Sequence, residues 1–196
     1  MFDDLLAHPG VIEEMNIRSR VGIMAFHGGS LERMTDVIAE AVATASGASS
    51  YIVRQPDDLR WHIPSRFIDP THSDPLTAFI DHVDVAIALH GFGRSGLFTT
   101  VLAGGSNRDL AAHVAGHLRV ALPEYRVVDD LEEIPEELRG LHPDNPVNRP
   151  PSGGVQIELP PRVRGLGPWW GDRPYEGVSP HTDDLIAGLV SALADW

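Results

Sequence analysis

The apolar positions along the chain fall into two kinds of run. Val21 to Phe26 (V-G-I-M-A-F) and Val83 to Leu89 (V-D-V-A-I-A-L) are nearly continuous. Short unbroken runs of this kind predict strands buried on both faces, as in parallel sheets. Met34, Val37, Ile38, Ala41, Val42 and Ala45 instead recur at helical spacing, and Gly47 stops the pattern. Leu76 to His82 predicts a short helix. Asn107 to Leu122 predicts a longer one, with Leu110, Val114, His117, Leu118 and Ala121 on one face. Asp183 to Ala194 predicts a closing helix, capped by Thr182, with Leu185, Ile186, Leu189 and Val190 facing inward. Tyr51 to Arg54, Leu97 to Ala103 and Val155 to Leu159 supply further strands, the last with period-two alternation. Asp129 to Arg139 is acidic and helix-favouring. Trp61 to Pro75, Leu141 to Gly154 and Arg162 to Ser179 read as loops, and residues 1–18 as a short helix or a loose arm. Strands alternating with helices predict a single α/β domain over residues 1–196, with a mostly parallel mixed sheet flanked by helices.

The length, 196 residues, suits one compact domain. Cysteine is absent. That removes disulfides, thiolate metal sites and cysteine nucleophiles together, so any metal must be held by His, Asp and Glu. The chain carries ten histidines. Its net charge is -13, and all 15 of its basic residues are arginine. An acidic chain without a basic cluster is a poor partner for nucleic acid. Without lysine there is no Schiff-base chemistry and no lysine-dependent phosphate loop. The N-terminus lacks a basic-then-apolar signal pattern, and no apolar run approaches the ~18–20 residues that cross a bilayer. These features predict a soluble, cytoplasmic protein with neither nucleic-acid nor membrane partners.

Two of the buried strands end alike, in Phe26-His27-Gly28 and Leu89-His90-Gly91. Ligands of open α/β sheets gather at the carboxyl ends of the strands, which is where both histidines fall. Glu32 follows His27 across the Gly28-Gly29 turn and can fold back to the same point. His, Glu and His form a three-ligand zinc set with one position left for water, the pattern of a catalytic site. Such chemistry also needs a carboxylate to take and return a proton. Glu158, which interrupts the strand V-Q-I-E-L, is the candidate. Each residue has an ordinary alternative: a histidine hydrogen-bonded in a turn, a first-turn glutamate favourable to a helix dipole, or a glutamate on the solvent face of an edge strand.

The chain also resembles the poly-γ-glutamate hydrolase family, small relatives of zinc carboxypeptidases. The matching pieces are A-F-H-G-G-S-L-E (Ala25 to Glu32), W-H-I-P-S (Trp61 to Ser65), A-L-H-G-F (Ala88 to Phe92), A-G-G-S-N (Ala103 to Asn107), H-P-D-N-P-V-N-R (His142 to Arg149) and G-G-V-Q-I-E-L-P (Gly153 to Pro160). The resemblance implies a zinc carboxypeptidase-like fold, zinc on His27, Glu32 and His90, and Glu158 as general base and acid. It implies further that Asn148 and Arg149 face the substrate, Arg149 holding a carboxylate; pairing with a surface acid is the alternative for that arginine. His62 is either a substrate or transition-state donor or a structural loop residue. The implied substrate is an acidic peptide-like or small amide. A long polyanion would be repelled by so acidic a chain unless the cleft is locally basic.

Gly91, Gly93 and Gly96 match the G-x-G-x-x-G spacing of nucleotide-binding loops, but that reading requires a helix to open at the third glycine. Leu97 to Ala103 reads as strand, so the glycines are expected to shape the loop behind His90, with Arg94 as an anion contact. Two further rivals are a hydrolase of small N-acyl amino acids, its cleft lined by Trp169, Trp170 and Tyr175, and a non-catalytic metal-containing binding module.

Overall fold

The computed structural model describes residues 1–166 and 179–196. Helix α1 (Phe2–Leu6) and strand β1 (Ile12–Asn16) precede β2 (Val21–Gly29), α2 (Thr35–Ser46) and β3 (Ser49–Gln55). Then come α3 (Asp74–His82), β4 (Val85–Gly91), β5 (Thr100–Ala103), α4 (Arg108–Ala121), β6 (Arg126–Val128), β7 (Gly154–Leu159) and α5 (Pro180–Ala194). The strands form one seven-stranded sheet in the order β1-β3-β2-β4-β7-β5-β6. Pairing is parallel throughout except for β1 with β3 and β5 with β7.

The central strands are buried along almost their whole length, as their unbroken apolar runs require. Helices α2, α4 and α5 cover one face, where Ile38, Val42, Leu110, Val114, Leu185 and Leu189 pack on Ile23, Ile87 and Ile157. On the other face α1 and α3 bury Phe2, Leu5, Leu76 and Phe79 against Met24, Phe26 and Tyr51. Helix α2 ends at Gly47, which adopts φ +73°, the left-handed closure that glycine favours.

Several elements differ from the sequence reading. Residues 1–18 are integrated into the fold: Phe2 and Leu5 are buried, and β1 pairs with β3. Glu13 and Glu14 mask β1 as a strand. They are tolerated because Glu13 accepts a hydrogen bond from Tyr51 at 2.5 Å and Glu14 pairs with Arg54. Asp129 to Arg139 holds only the 3₁₀ turn Glu136–Leu138, and β6 precedes it. The cap of α5 is Ser179, whose Oγ accepts the Thr182 N–H; the Thr182 hydroxyl instead donates to the Val163 carbonyl at 2.9 Å. No helix opens at Gly96; β5 follows. Among the described residues, no helix is long and apolar enough to cross a membrane.

Candidate active site

Strands β2 and β4 run parallel and side by side, and β4 pairs with β7 so that His90 lies opposite Glu158. The carboxyl ends of all three strands therefore open at one place. His27 lies near the carboxyl end of β2, where the register with β3 shifts between Ala25 and Gly28. Such a bulge bends the strand and re-aims its side chains. The chain then turns sharply at Gly29, at φ +71°, where an added Cβ would lie 2.1 Å from the Gln55 carbonyl oxygen. Only glycine meets both demands. The Glu32 N–H closes the turn by donating to the His27 carbonyl at 2.8 Å. Met34, just beyond, is held at φ +76°, a conformation that costs a non-glycine residue energy and clusters at functional sites.

This turn brings the Glu32 carboxylate between two imidazoles. Its Oε1 lies 2.8 Å from His27 Nδ1, and its Oε2 lies 3.4 Å from His90 Nδ1. The rings of His27 and His90 are 5.1 Å apart. Oε2 also accepts the Gly91 N–H at 2.9 Å. Burial raises the Glu32 carboxyl, but His27 and His90 outweigh it and hold the group well below the usual carboxylate range. Burial lowers His90, and the adjoining Glu32 and then Glu158 reverse that, leaving it raised.

The donors fit a divalent cation. His27 Nε2 sits 2.9 Å from the Ile63 carbonyl, so the ring N–H belongs on Nε2 and the Nδ1 lone pair faces a carboxylate oxygen. Two acceptors at that distance require a proton or a metal between them. His90 likewise turns Nδ1 toward Glu32 Oε2, while its buried Nε2 has no hydrogen-bond partner among the described residues. His62 joins the group. One nitrogen of His62, one of His27 and a Glu32 oxygen all lie within 4.8 Å of one another. The segment carrying His62 is pinned by Gln55, whose side chain exchanges two hydrogen bonds with the backbone of Trp61. Burial, then the neighbouring His27, lowers the His62 ring.

Glu158 is buried on β7 at the floor of the same cleft. Burial raises its carboxyl, with His90 opposing. Gln156, two residues earlier and on the same face, donates to Glu158 Oε1 at 2.8 Å and accepts from Asn145 at 2.8 Å. The period-two pattern of V-Q-I-E-L placed Gln156 on that face. Asn145 carried no such signal, because its contact is long-range.

The cleft encloses about 940 Å³. His27, Glu32, His62, His90 and Glu158 all line it, with Arg66, Arg139 and His142 on its walls. Asn148, Arg149 and Arg94 are not among its lining residues. Asn148 is spent on structure, donating to the carbonyls of Gly140 and His142 and accepting from the Ser106 N–H. Arg149 pairs with Asp144 at 3.0 Å and Arg94 with Glu137. Each has found the acid that an acidic surface offers. Trp169, Trp170 and Tyr175 lie outside the described residues.

A parallel-sheet cleft with two buried imidazoles around one carboxylate, and a second carboxylate beside them, defines a peptidase-like α/β hydrolase with a candidate metal site. The chain matches the family model described as poly-gamma-glutamate hydrolase over residues 4–166, and it belongs to that family. The structure of a bacteriophage poly-gamma-glutamate hydrolase is similar, with a TM-score of 0.77 at 21% identity over 95% of this chain and 89% of that one. YndL in its zinc-free form gives 0.74 at 19% identity, over 95% and 90%. A Burkholderia mallei protein provisionally assigned as a carboxypeptidase gives 0.54 at 13% identity, over 98% and 65%. At these identities the likeness is one of fold. No curated protein matches the chain in sequence.

Proposed function

We propose that the protein hydrolyses amide bonds of glutamyl or related acidic substrates, with zinc held by His27, Glu32 and His90. The observation that carries this is the Glu32 carboxylate set between two Nδ1 atoms, one of them on a ring whose other nitrogen already serves the Ile63 carbonyl. Bound zinc would supply a Lewis acid and lower the pKa of a water. Glu158 then takes a proton from the attacking water and delivers it to the amide nitrogen as the C–N bond breaks, giving a carboxylic acid and an amine. Its raised pKa suits a group that must both accept and return a proton. The Gln156 N–H holds Oε1, which orients the carboxyl for that work. Arg66 and Arg139 on the cleft walls are the cations that would meet substrate carboxylates. The spacing within 4.8 Å also supports a second arrangement, in which His62 supplies a ligand nitrogen.

The test is Glu158→Gln assayed on γ- and α-linked glutamyl amides, with zinc measured on the same preparation. The expected result is retained zinc and a loss of kcat of about 10²–10⁴-fold, the usual weight of a general acid–base group. Full activity in the variant would remove Glu158 from the reaction.

A further inference from the structure

Arg164 lies in the turn after β7 and is buried. A guanidinium stays charged in any protein environment, so a buried one must be satisfied by acceptors. Here the acceptors are three backbone carbonyls. Nε donates to Leu159 at 3.1 Å, one terminal nitrogen to Arg33 at 2.8 Å, and the other to Phe92 at 3.4 Å. Those carbonyls come from three separate stretches of chain, and each stretch carries a site residue. Leu159 follows Glu158, Arg33 follows Glu32, and Phe92 stands two residues beyond His90. The guanidinium also lies against Gly91, where an added Cβ would fall 2.7 Å from its central carbon. That same Gly91 donates its N–H to Glu32.

We infer that Arg164 is the positioning residue of this site: its planar fork ties together the ends of β4 and β7 and the turn after β2, so that His90, Glu158 and Glu32 are held at one spacing before any metal binds. The inference rests on the metal-site reading above. Preorganised ligands bind more tightly because little ordering remains to be done on binding. Partners just outside a metal's ligands commonly contribute 10–100-fold in affinity. A lysine keeps the charge but cannot span three carbonyls in a plane.

The experiment is zinc titration of the metal-free protein in four forms: wild type, Arg164→Lys, Gly91→Ala and Thr182→Val. Thr182→Val removes a buried hydrogen bond to the Val163 carbonyl, next to Arg164 in the chain, and leaves untouched the three carbonyls that the guanidinium itself spans. It is expected to lower Tm with the zinc Kd unchanged within twofold. Arg164→Lys is expected to weaken zinc binding by about 10–100-fold and to lower kcat more than it changes KM. Gly91→Ala, which crowds the fork from the other side, is expected to weaken zinc binding in the same range. If the zinc affinity of Arg164→Lys only tracks its loss of Tm, as Thr182→Val calibrates, the inference is overturned. Gly91→Ala binding zinc like wild type overturns it too, and decides alone should Arg164→Lys not fold. A wild-type protein that takes up no zinc overturns the metal-site reading itself, and this inference with it.

Discussion

Among the described residues three pairs of histidine rings lie close together, and they are not equivalent: His27 stands 4.9 Å from His62 and 5.1 Å from His90 at the cleft, and the third pair lies elsewhere. His113 and His117 lie one turn apart on α4 with their rings 4.7 Å from each other, nearer than the 5.1 Å between His27 and His90. By spacing alone the helical pair is the more conventional chelate. Yet three of its four nitrogens already face protein groups. His113 Nε2 meets the Ala192 carbonyl at 2.8 Å, and His117 meets the Ser191 hydroxyl and, at 3.6 Å, Asp195. These rings fasten α4 to α5. The strand-end pair is buried and turns one Nδ1 from each ring toward the same carboxylate. What separates a candidate metal site from a pair of packed rings is therefore where the lone pairs point and what else claims them.

The strongest test of this contrast is to remove each pair. His27→Ala or His90→Ala is expected to abolish stoichiometric zinc in elemental analysis and to reduce hydrolysis to background. Zinc retained in His90→Ala but lost in His62→Ala would move the third ligand to His62. A middle-sized effect is expected with pH. His90 is raised in the folded, metal-free protein, chiefly by Glu32 against burial, so folding favours its protonated form. Its contribution is full below the ordinary histidine value of about 6.5 and is lost as pH rises through the higher folded value. Metal-free protein should thus lose stability as pH rises above that ordinary value. Zinc-loaded protein should gain it, because ligation needs the ring neutral. Denaturant midpoints measured at several pH values with and without zinc check both slopes, and parallel slopes would contradict the shared site. The smallest effect belongs to His113→Ala and His117→Ala. Each is expected to lower stability by about 1 kcal/mol through a lost hydrogen bond, with zinc content and kcat unchanged. A fall in zinc content there would collapse the distinction.

The two strand ends and the turn between His27 and Glu32 were legible because buried parallel strands declare themselves as unbroken apolar runs, and the glycines after each histidine mark where those runs stop. β1 was not, since Glu13 and Glu14 find partners only in β3, α3 and their surroundings. Glu158 was legible in the interrupted strand V-Q-I-E-L and again in the family resemblance, which also brought in the segment bearing His62, and both residues line the cleft. The resemblance also nominated Arg149 and Asn148, which bond to Asp144 and to backbone groups and are not among the residues lining the cleft. Short motifs do not say which way a loop side chain turns. Arg164 had no local signature at all, because its role exists only where Arg33, Phe92 and Leu159 have already met.

The pairing of His90 with Glu158 across β4 and β7 carries a consequence for how such an enzyme can diversify. Neighbouring strands keep their axes ~4.8 Å apart, a ruler set by backbone hydrogen bonds and indifferent to what the surrounding loops contain. The segments bearing Arg66 and Arg139 can then be exchanged, lengthened or recharged to suit a new polymer or a small amide. The span between the His90 imidazole and the Glu158 carboxyl would stay as the sheet dictates.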